Sequence, residues 1–409
     1  MGSLSSVSTK FAVLFAALSG CFATGTAAEP ATPTKIDLFE SGLDGYGLYR
    51  IPGIVVTSKG TVLAYCEARK HEKSDWGHID VVLRRSTDGG QTWSPMKKLV
   101  ELEGKFTRNP AAAAQGLGRD GEITVNNPIA IADPRSGVVH FLYNVEYNRL
   151  FYMRSEDDGL TFSKPVELTA AVDKLKPSYD WQSFAVGPGH GLRLSSGRLI
   201  AAVWLSTGKG GHAHRPSVVT TIYSDDDGKT WQLGDIIANE TKPLINPSES
   251  VLVELAGGRV MINIRSESLE HRRAVAISPN GATQWTEPKF DEALLEPICM
   301  ANIIRWTSAK DGKSRIVFSN PHNLERANAK PGQGRDRKNL SLKLSTDDGA
   351  TWPINKTLEA GPSGYSDLAI AADGSLLCFY ERSIVNEATK KRTSYLTVAR
   401  VSREWLNNK

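Results

Sequence analysis

The chain has 409 residues, of which 40% are hydrophobic and 23% are charged, and its formal net charge is +4 at pH 7. So small a net charge is not the strongly basic balance of nucleic-acid-binding proteins, and it argues against nucleic acid as a partner. The hydrophobic fraction is sufficient for a sizeable core. No Pro- or Ser-rich linker divides the chain, so we expect one domain; nothing in the sequence predicts a protein partner.

The segment 1–28 predicts an export signal. Lys10 precedes an apolar run at residues 11–18, and the small residues 26–28 form a cleavage site. The run is too short to span a bilayer. Leu18-Ser19-Gly20-Cys21 also resembles a bacterial lipoprotein box, which would attach the protein to a membrane through a lipidated Cys21. By either route we expect an exported protein, secreted, periplasmic or lipid-anchored, whose mature domain is residues 29–409.

Five copies of the pattern Ser-x-Asp-x-Gly-x-Thr-Trp recur along the chain. They begin at residues 86, 155, 224, 278 and 345; the copy at 155 ends in Phe162, and the copy at 278 is one residue out of step. Each copy follows a short run of β-branched, aromatic or apolar residues, which indicates a strand. Asp and Gly favour a tight turn, and Trp is a large apolar side chain for the core. Each copy therefore predicts a structural turn rather than a catalytic aspartate.

The spacing of these repeats predicts an all-β fold, a six-bladed β-propeller of four-stranded antiparallel blades. The steps between copies are nearly constant, apart from a shorter one between the copies at 224 and 278, as expected of repeated supersecondary units. The last blade lacks a fourth strand at the C-terminus, and we expect residues 35–39 to supply it. In chain order the other predicted strands are 51–57, 61–67 and 79–86 in the first blade, 260–265 in the fourth, which begins near 250, and 368–371, 376–381 and 395–401 in the last.

If each repeat joins strands three and four of a blade, the opposite face collects a particular set of polar residues. They stand where first strands begin, where second strands end, and in the links from second to third strands. Several guanidinium groups that converge on one axial opening of the propeller suit an anionic ligand, above all a carboxylate. In chain order the residues are Arg50, Arg69, Asp75, Glu249, Arg265, Arg337, Tyr365 and Glu381.

These residues lie in segments that resemble the exo-α-sialidases, or neuraminidases, of the secreted bacterial type with Asp boxes. Tyr49-Arg50-Ile51-Pro52 is similar to the Arg-Ile-Pro motif of that family, and the repeats are similar to its Asp boxes. The resemblance covers residues 35–403. Further similar segments are Glu67–Arg69 with Ser74–Asp80, Asn246–Ser250 with Asn263–Ser266, Phe318–Pro321 with Arg337–Leu340, Gly364–Leu368, and Phe379–Arg382.

The resemblance implies that the protein removes terminal sialic acid from glycoconjugates. Arg50, Arg265 and Arg337 would bind the carboxylate on the anomeric carbon, and Glu381 would brace Arg50. A carboxylate nucleophile would be repelled by the substrate's own charge. The neutral Tyr365 avoids this repulsion. Most glycosidases use two carboxylates for catalysis, and the sialidases are an exception.

The resemblance also implies a retaining mechanism with a covalent tyrosine intermediate. Because a phenol near pKa 10 is a poor nucleophile at neutral pH, Glu249 is expected to withdraw its proton. Asp75 would protonate the leaving oxygen and then activate water. Arg69 is expected to contact the substrate. No step requires a metal or another cofactor.

Several assignments stay open at this point. Asp80 is an alternative to Asp75, and Arg335 is an alternative to Arg337. His212 and His214 could be a metal pair, but no Cys or carboxylate is spaced to complete a site, and a Gly-rich loop is the preferred interpretation. A second segment similar to the family, 180–183 with 187–191, predicts a rim loop that lines the sugar pocket.

The function has alternatives too. A trans-sialidase, or a hydrolase that prefers deaminated sialic acid, would use the same chemistry. A sugar-binding propeller without turnover belongs to another class, and it predicts the loss of Tyr365 or Asp75. Both residues are present.

Overall fold

The computed structural model of the chain describes residues 1–2, 32–71, 74–239, 243–307, 313–325 and 336–408. The predicted export signal with Cys21 lies outside these residues, except for residues 1–2, and Arg335 lies outside them as well. Within the described ranges the fold is all-β, as expected, with three short α-helices and two 3-10 turns. None of the helices described is long and apolar enough to cross a membrane.

The described residues form 25 strands. In chain order they are β1 (Thr34–Glu40), β2 (Leu48–Val56), β3 (Val62–Arg69), β4 (Ile79–Ser86), β5 (Lys97–Lys98), β6 (Val125–Ala132), β7 (Val139–Val145), β8 (Arg149–Ser155), β9 (Val166–Glu167), β10 (Ser183–Val186), β11 (Gly189–His190), β12 (Leu192–Arg193), β13 (Leu199–Ser206), β14 (Ser217–Ser224), β15 (Gln232–Leu233), β16 (Ser250–Glu254), β17 (Val260–Ile264), β18 (Arg272–Ser278), β19 (Lys289–Leu295), β20 (Asn302–Arg305), β21 (Ile316–Pro321), β22 (Lys338–Ser345), β23 (Ile354–Ile370), β24 (Leu376–Val385) and β25 (Arg392–Val401). The helices are α1 (Pro110–Ala113), α2 (Thr169–Asp173) and α3 (Arg403–Asn407), and the 3-10 turns are Lys209–Gly211 and Ala256–Gly258.

These strands make five sheets in the described part of the chain. Their orders are β2-β3-β4-β5, β11-β6-β7-β8-β9, β10-β13-β14-β15 with β12 beside β13, β16-β17-β18-β19, and β1-β25-β24-β23-β22-β21-β20. Apart from the short parallel pair β11–β6, the strand pairs are antiparallel meanders. Apolar residues from neighbouring sheets pack together, as where the Tyr65 ring lies 5.3 Å from that of Phe141.

The N-terminal strand β1 completes the last sheet. It pairs antiparallel with β25, from Thr34 opposite Arg400 to Glu40 opposite Tyr395. An ion pair of 2.7 Å between Arg382 and Asp37 joins β1 to the same sheet from the side. This confirms that residues near the N-terminus supply the strand that the C-terminal segment lacks.

Strand β23 differs from the prediction. Residues 368–371 do not form a separate short strand, because residues 368–370 belong to a continuous strand of 17 residues. Its first part pairs with β22 as far as Pro362 opposite Lys338, and its second part pairs with β24 from Ser363 opposite Arg382. Because the backbone passes from one neighbour directly to the next, its hydrogen bonds are satisfied without a turn.

The repeated boxes form turns after the third strand of each sheet unit, as predicted. In the copy at 224, Oδ1 of Asp226 accepts bonds from the Ser224 hydroxyl and the N–H of Thr230, both at 2.8 Å, and Oδ2 accepts the Thr230 hydroxyl at 2.7 Å. Asp88, Asp157 and Asp347 make the same bonds in their copies. In the copy at 278, Asn280 replaces the aspartate and accepts two backbone N–H groups.

Candidate active site

Five of the eight residues selected from the sequence line one cavity of about 190 Å³. The other three contact residues of its wall. None of the Asp-box aspartates is part of this wall. The five lining residues are Arg69, Asp75, Glu249, Arg265 and Tyr365.

Tyr365 and Glu249 form a bonded pair in this cavity. Tyr365 belongs to β23 and is 5% exposed, and its hydroxyl donates to Oε2 of Glu249 at 2.6 Å. Nη1 of Arg265 donates to the same hydroxyl oxygen at 2.8 Å and forms an ion pair with Glu249. Burial raises the pKa of the Tyr365 phenol above its usual range, and the positive charge of Arg265 opposes this without cancelling it. A base beside the hydroxyl is therefore needed for nucleophilic attack.

Two further guanidinium groups lie over the Tyr365 ring. The Cζ atoms of Arg50 and Arg337 are 4.9 Å and 5.4 Å from the ring centroid. Nε of Arg50 donates to Oε1 of Glu381 at 3.0 Å, and Oε2 of Glu381 accepts the backbone N–H of Tyr365 at 3.2 Å. Burial acts to raise the pKa of the Glu381 carboxyl, but the charge of Arg50 and the hydrogen bonds from Arg50 and the Ile51 N–H together lower it. Glu381 thus fixes Arg50 and the Tyr365 backbone together.

Asp75 lies in the link between β3 and β4 with 51% of its side chain exposed. Its Oδ1 accepts a bond from Nη1 of Arg69 at 2.7 Å and lies 3.5 Å from Nη1 of Arg50. Although burial acts in the opposite direction, these two guanidinium groups hold the pKa of Asp75 well below its usual range. The rival Asp80 does not line the cavity, because its carboxylate is bound by Tyr46 at 2.8 Å and by Lys98 at 3.0 Å.

An aromatic wall completes the cavity, and the sequence did not indicate it. The ring of His214 lies 4.7 Å from that of Tyr147 and 5.1 Å from that of Trp204, and it stacks on Trp76 at 5.4 Å. Trp204 lies near the end of a second strand, and Tyr147 follows another second strand. Both occupy the kind of strand position that selected Arg69 and Arg265, but an aromatic residue there is equally typical of the core. The remaining lining residues that sequence analysis missed are Asn127, Arg215, Ser217, Asn246, Ser248 and Glu267, with Ile51 of the Arg-Ile-Pro motif.

The histidines of the Gly-rich loop belong to this wall. His212 and His214 both line the cavity, and burial lowers the pKa of His214 to about 4, so its ring is neutral near pH 7. Among the described residues, no group of three or more His, Cys, Asp or Glu side chains is arranged to hold a metal ion.

The predicted rim loop lies elsewhere. Residues 180–183 and 187–191 do not line the cavity, contrary to the sequence prediction. His190 instead belongs to β11, with 7% of its side chain exposed, and its Nδ1 lies 2.7 Å from Oδ1 of Asp367. The reason is the parallel pairing of β11 with β6, which draws this segment between two sheets.

The cavity thus combines four chemical groups. It offers a hydroxyl with a carboxylate base, a second carboxylate 3.5 Å from Arg50, three guanidinium groups around one aromatic ring, and a neutral aromatic wall. The guanidinium groups can hold a carboxylate through paired hydrogen bonds. The hydroxyl and the second carboxylate can then act on a neighbouring carbon as nucleophile and as acid.

The sequence matches the BNR repeat-like domain family over residues 110–378 and the BNR/Asp-box repeat at residues 84–95. It is 32% identical over 367 residues to a sialidase of Bacteroides fragilis and 30% identical over 374 residues to a sialidase of Micromonospora viridifaciens, with 85% of this chain covered in each case. The matches span 62% and 52% of the length of those two proteins.

A similar fold occurs among solved structures. The fold of the Hadza microbial sialidase Hz136 covers 91% of this chain and 69% of that protein, with a TM-score of 0.70 and 24% sequence identity.

Proposed function

The chain belongs to the BNR repeat-like domain family, and from this and its similarity to two bacterial sialidases we propose that it is an exo-α-sialidase that hydrolyses terminal α-linked sialic acid from glycoproteins, glycolipids or oligosaccharides. The observation that carries the proposal is the Tyr365–Glu249 pair, joined at 2.6 Å, beneath the guanidinium groups of Arg50 and Arg337. A neutral nucleophile surrounded by cations suits a substrate whose anomeric carbon bears a carboxylate.

The mechanism assigns one role to each residue. Arg50, Arg265 and Arg337 bind the substrate carboxylate and so place the anomeric carbon over Tyr365. Glu249 takes the phenolic proton as the Tyr365 oxygen attacks. The glycosidic bond breaks and a covalent glycosyl-tyrosine forms.

Asp75 delivers a proton to the leaving oxygen in the first step. In the second step it takes a proton from water, which attacks the anomeric carbon, and Glu249 returns its proton to the departing Tyr365 oxygen. Two inversions at one carbon give net retention. Arg69 contacts the substrate from the same side as Asp75, and Glu381 holds Arg50 in place.

The test compares the native protein with Tyr365→Phe on a fluorogenic α-sialoside. We expect the variant to lose about three orders of magnitude in kcat, since the nucleophile is missing, and to retain binding of sialic acid in calorimetry. Tyr380→Phe is the matched control, because the Tyr380 hydroxyl also donates to a glutamate, Glu359, at 2.7 Å. If the native protein and the variant both bind sialic acid and neither releases it, the enzyme proposal fails.

Proton NMR of the first product would show the α-anomer if configuration is retained. The same experiment with lactose in excess distinguishes the hydrolase from a trans-sialidase, because transfer yields a sialylated lactose. Parallel assays with a deaminated sialoside test the remaining alternative of the same chemistry.

We also propose that the sheets form a six-bladed propeller. Within the seven-stranded sheet, β23 pairs with β22 up to Pro362 and with β24 from Ser363 onwards. The sheet therefore divides into one unit of β20 to β23 and one of β23 to β25 with β1. Counted as two blades beside the other four sheets, these units give six.

Export is a further part of the proposal. The apolar run at residues 11–18 and the alternatives of cleavage after Ala28 or lipidation of Cys21 rest on the sequence. Mass spectrometry of the full chain expressed in a bacterial host would distinguish them. A product that begins at Glu29 supports cleavage, and a lipid-modified product that Cys21→Ala abolishes supports lipidation.

A further inference from the structure

A buried glutamate stands beside the candidate acid. Glu67 lies on β3 two positions before Arg69, so both side chains leave the same face of the strand. Glu67 is fully buried at 0% exposure and Arg69 is 3% exposed. Oε2 of Glu67 accepts bonds from Nη2 of Arg69 at 2.6 Å and from Nε at 3.0 Å.

These two bonds fix the direction of the Arg69 guanidinium. Since Nε and Nη2 are occupied by Glu67, Nη1 is the nitrogen that faces the cavity. It donates to Oδ1 of Asp75 at 2.7 Å and to the carbonyl oxygen of Ser74 at 3.1 Å. Because the donors of a guanidinium group are planar and rigid, the position of Glu67 determines where Nη1, the partner of Asp75, lies.

Glu67 also holds a second part of the cavity wall. Its other oxygen, Oε1, accepts the backbone N–H of Asn127 at 2.9 Å. Asn127 lines the cavity and has a φ of 50°, in the left-handed region. One carboxylate therefore fixes the arginine beside Asp75 and a strained backbone position across the sheet boundary.

The charges form an alternating row: Glu381, Arg50, Asp75, Arg69 and Glu67. Asp75 stands between two arginines, and each arginine has a glutamate behind it. A general acid must carry a proton when the leaving oxygen departs, and an arginine without a counter-charge favours the ionised carboxylate. Glu67 offsets the Arg69 charge as Glu381 offsets that of Arg50.

We infer that Glu67 is a positioning residue for proton transfer by Asp75, which acts by orienting Arg69 and offsetting its charge. The inference rests on the proposed function, because it presumes that Asp75 protonates the leaving oxygen. It assigns to Glu67 no contact with the substrate.

The test uses Glu67→Gln in the full-length protein with two substrates. A sialyl-lactose has a sugar leaving group that needs a proton, whereas an aryl α-sialoside has a phenolate leaving group that needs little assistance. We expect kcat/KM to fall about a hundredfold for sialyl-lactose and only a few fold for the aryl substrate, within the range of general acid catalysis. The optimum pH for sialyl-lactose should move to lower values, because the uncompensated Arg69 favours ionised Asp75.

Glu296→Gln is the matched control. Glu296 is 1% exposed, pairs with the buried Arg273 at 2.7 Å and accepts a backbone N–H, that of Cys299, at 2.8 Å. The chemical change is the same, but Asp75 is not involved, so the ratio of the two kcat/KM values should stay native. An equal loss on both substrates in Glu67→Gln, with an unchanged pH optimum, would show a structural role alone and overturn the inference.

A second variant covers the case in which Glu67→Gln does not fold, as judged by circular dichroism. Arg69→Lys removes the fork that links Glu67 to Asp75 while it retains a positive charge. Because Arg69 also contacts the substrate, KM should rise for both substrates, so kcat is compared instead. The loss in kcat should be selective for sialyl-lactose, and equal losses in kcat on both substrates would overturn the inference. A native protein that hydrolyses neither substrate would refute the proposed function and the inference with it.

Discussion

At the scale of single residues, the proposed substrate carboxylate would compete with Asp75 for Arg50. In the structure, Nη1 of Arg50 lies 3.5 Å from Oδ1 of Asp75, and this contact contributes to the low pKa of Asp75. A carboxylate bound by Arg50 would neutralise part of the guanidinium charge that now acts on Asp75. The pKa of Asp75 would then rise towards the range in which it can donate a proton. Substrate binding would thus prepare the acid that the reaction needs.

The third arginine can be tested by substitution. Arg337→Lys should raise KM for a sialoside about ten- to a hundredfold, because lysine cannot form the paired bonds that a guanidinium makes with a carboxylate. Steady-state kinetics on the aryl substrate measure the change. Arg335→Lys is the control, and it should keep a native KM. If Arg335→Lys carries the larger defect, the assignment of Arg337 is wrong.

The residues of the site were predicted from the sequence where charge and strand position coincided. Arg265 directly follows β17, whereas Arg50 lies inside β2 and Glu381 inside β24, because both of these strands extend beyond their predicted bounds. Tyr147 and Trp204 were not predicted, because an aromatic residue at a strand end reads equally well as core. Their place in the wall follows from packing around His214, which no local pattern encodes.

At the scale of elements, each box fastens the end of a third strand far from the site. Strand β14 begins at Ser217, which lines the cavity, and ends at Ser224, the first residue of a box. Seven residue steps along an extended strand cover about 23 Å. The turn and the site therefore occupy opposite ends of the same strand, so a box can stabilise the sheet without touching the substrate.

Trp231→Ala tests this separation. Trp231 is 5% exposed, its Nε1 donates to the carbonyl oxygen of Gly228 at 3.1 Å, and its ring lies 5.6 Å from that of Tyr152. Its truncation should lower the free energy of unfolding by about 3–5 kcal/mol, as measured by urea titration, and leave kcat of the folded protein near native. Trp231→Phe should lose less stability, since it keeps an aromatic ring. A large loss of kcat in folded Trp231→Ala would show that the box affects the active site, contrary to this prediction.

The strands that local patterns specify were predicted closely, and β4 was predicted with its observed bounds, Ile79–Ser86. The continuous strand β23 was not predicted, since Gly361 and Pro362 read as a turn in a local window. Long-range pairing with β22 and then β24 overrides that preference. The parallel contact of β11 with β6, in which Gly189 lies opposite Ile129, likewise joins segments distant in sequence and leaves no local pattern.

At the scale of the whole molecule, the site exists only when the chain ends are joined. Arg50 and Tyr365 are neighbours in space but come from opposite ends of the domain's sequence. Closure depends on β1 and β25, which pair across the two ends of the domain. Contacts of such high sequence separation carry a large loop-closure entropy, so they persist only while the rest of the fold is intact. Global stability is therefore a condition of activity, and acid should affect both.

His140 makes this acid sensitivity testable. Its side chain is buried, Nδ1 lies 2.8 Å from the Tyr152 hydroxyl, and burial lowers its pKa to about 4. An unfolded chain protonates this imidazole near its usual pKa of about 6.5, so the unfolded state binds the proton first as pH falls. The stability contribution is complete above about pH 6.5 and is lost progressively towards pH 4, by up to about 3 kcal/mol.

His140→Phe should therefore show a shallower decline of urea midpoints between pH 6.5 and pH 4 than the native protein. The slope is compared rather than the absolute stability, because the variant also loses the bond to Tyr152. Tyr152→Phe removes that bond and keeps the titrating group, so it should retain the native slope. A native slope in His140→Phe would mean that other groups cause the acid sensitivity. A shallow slope in both variants would mean that the hydrogen bond, rather than burial of the neutral ring, determines the pH dependence.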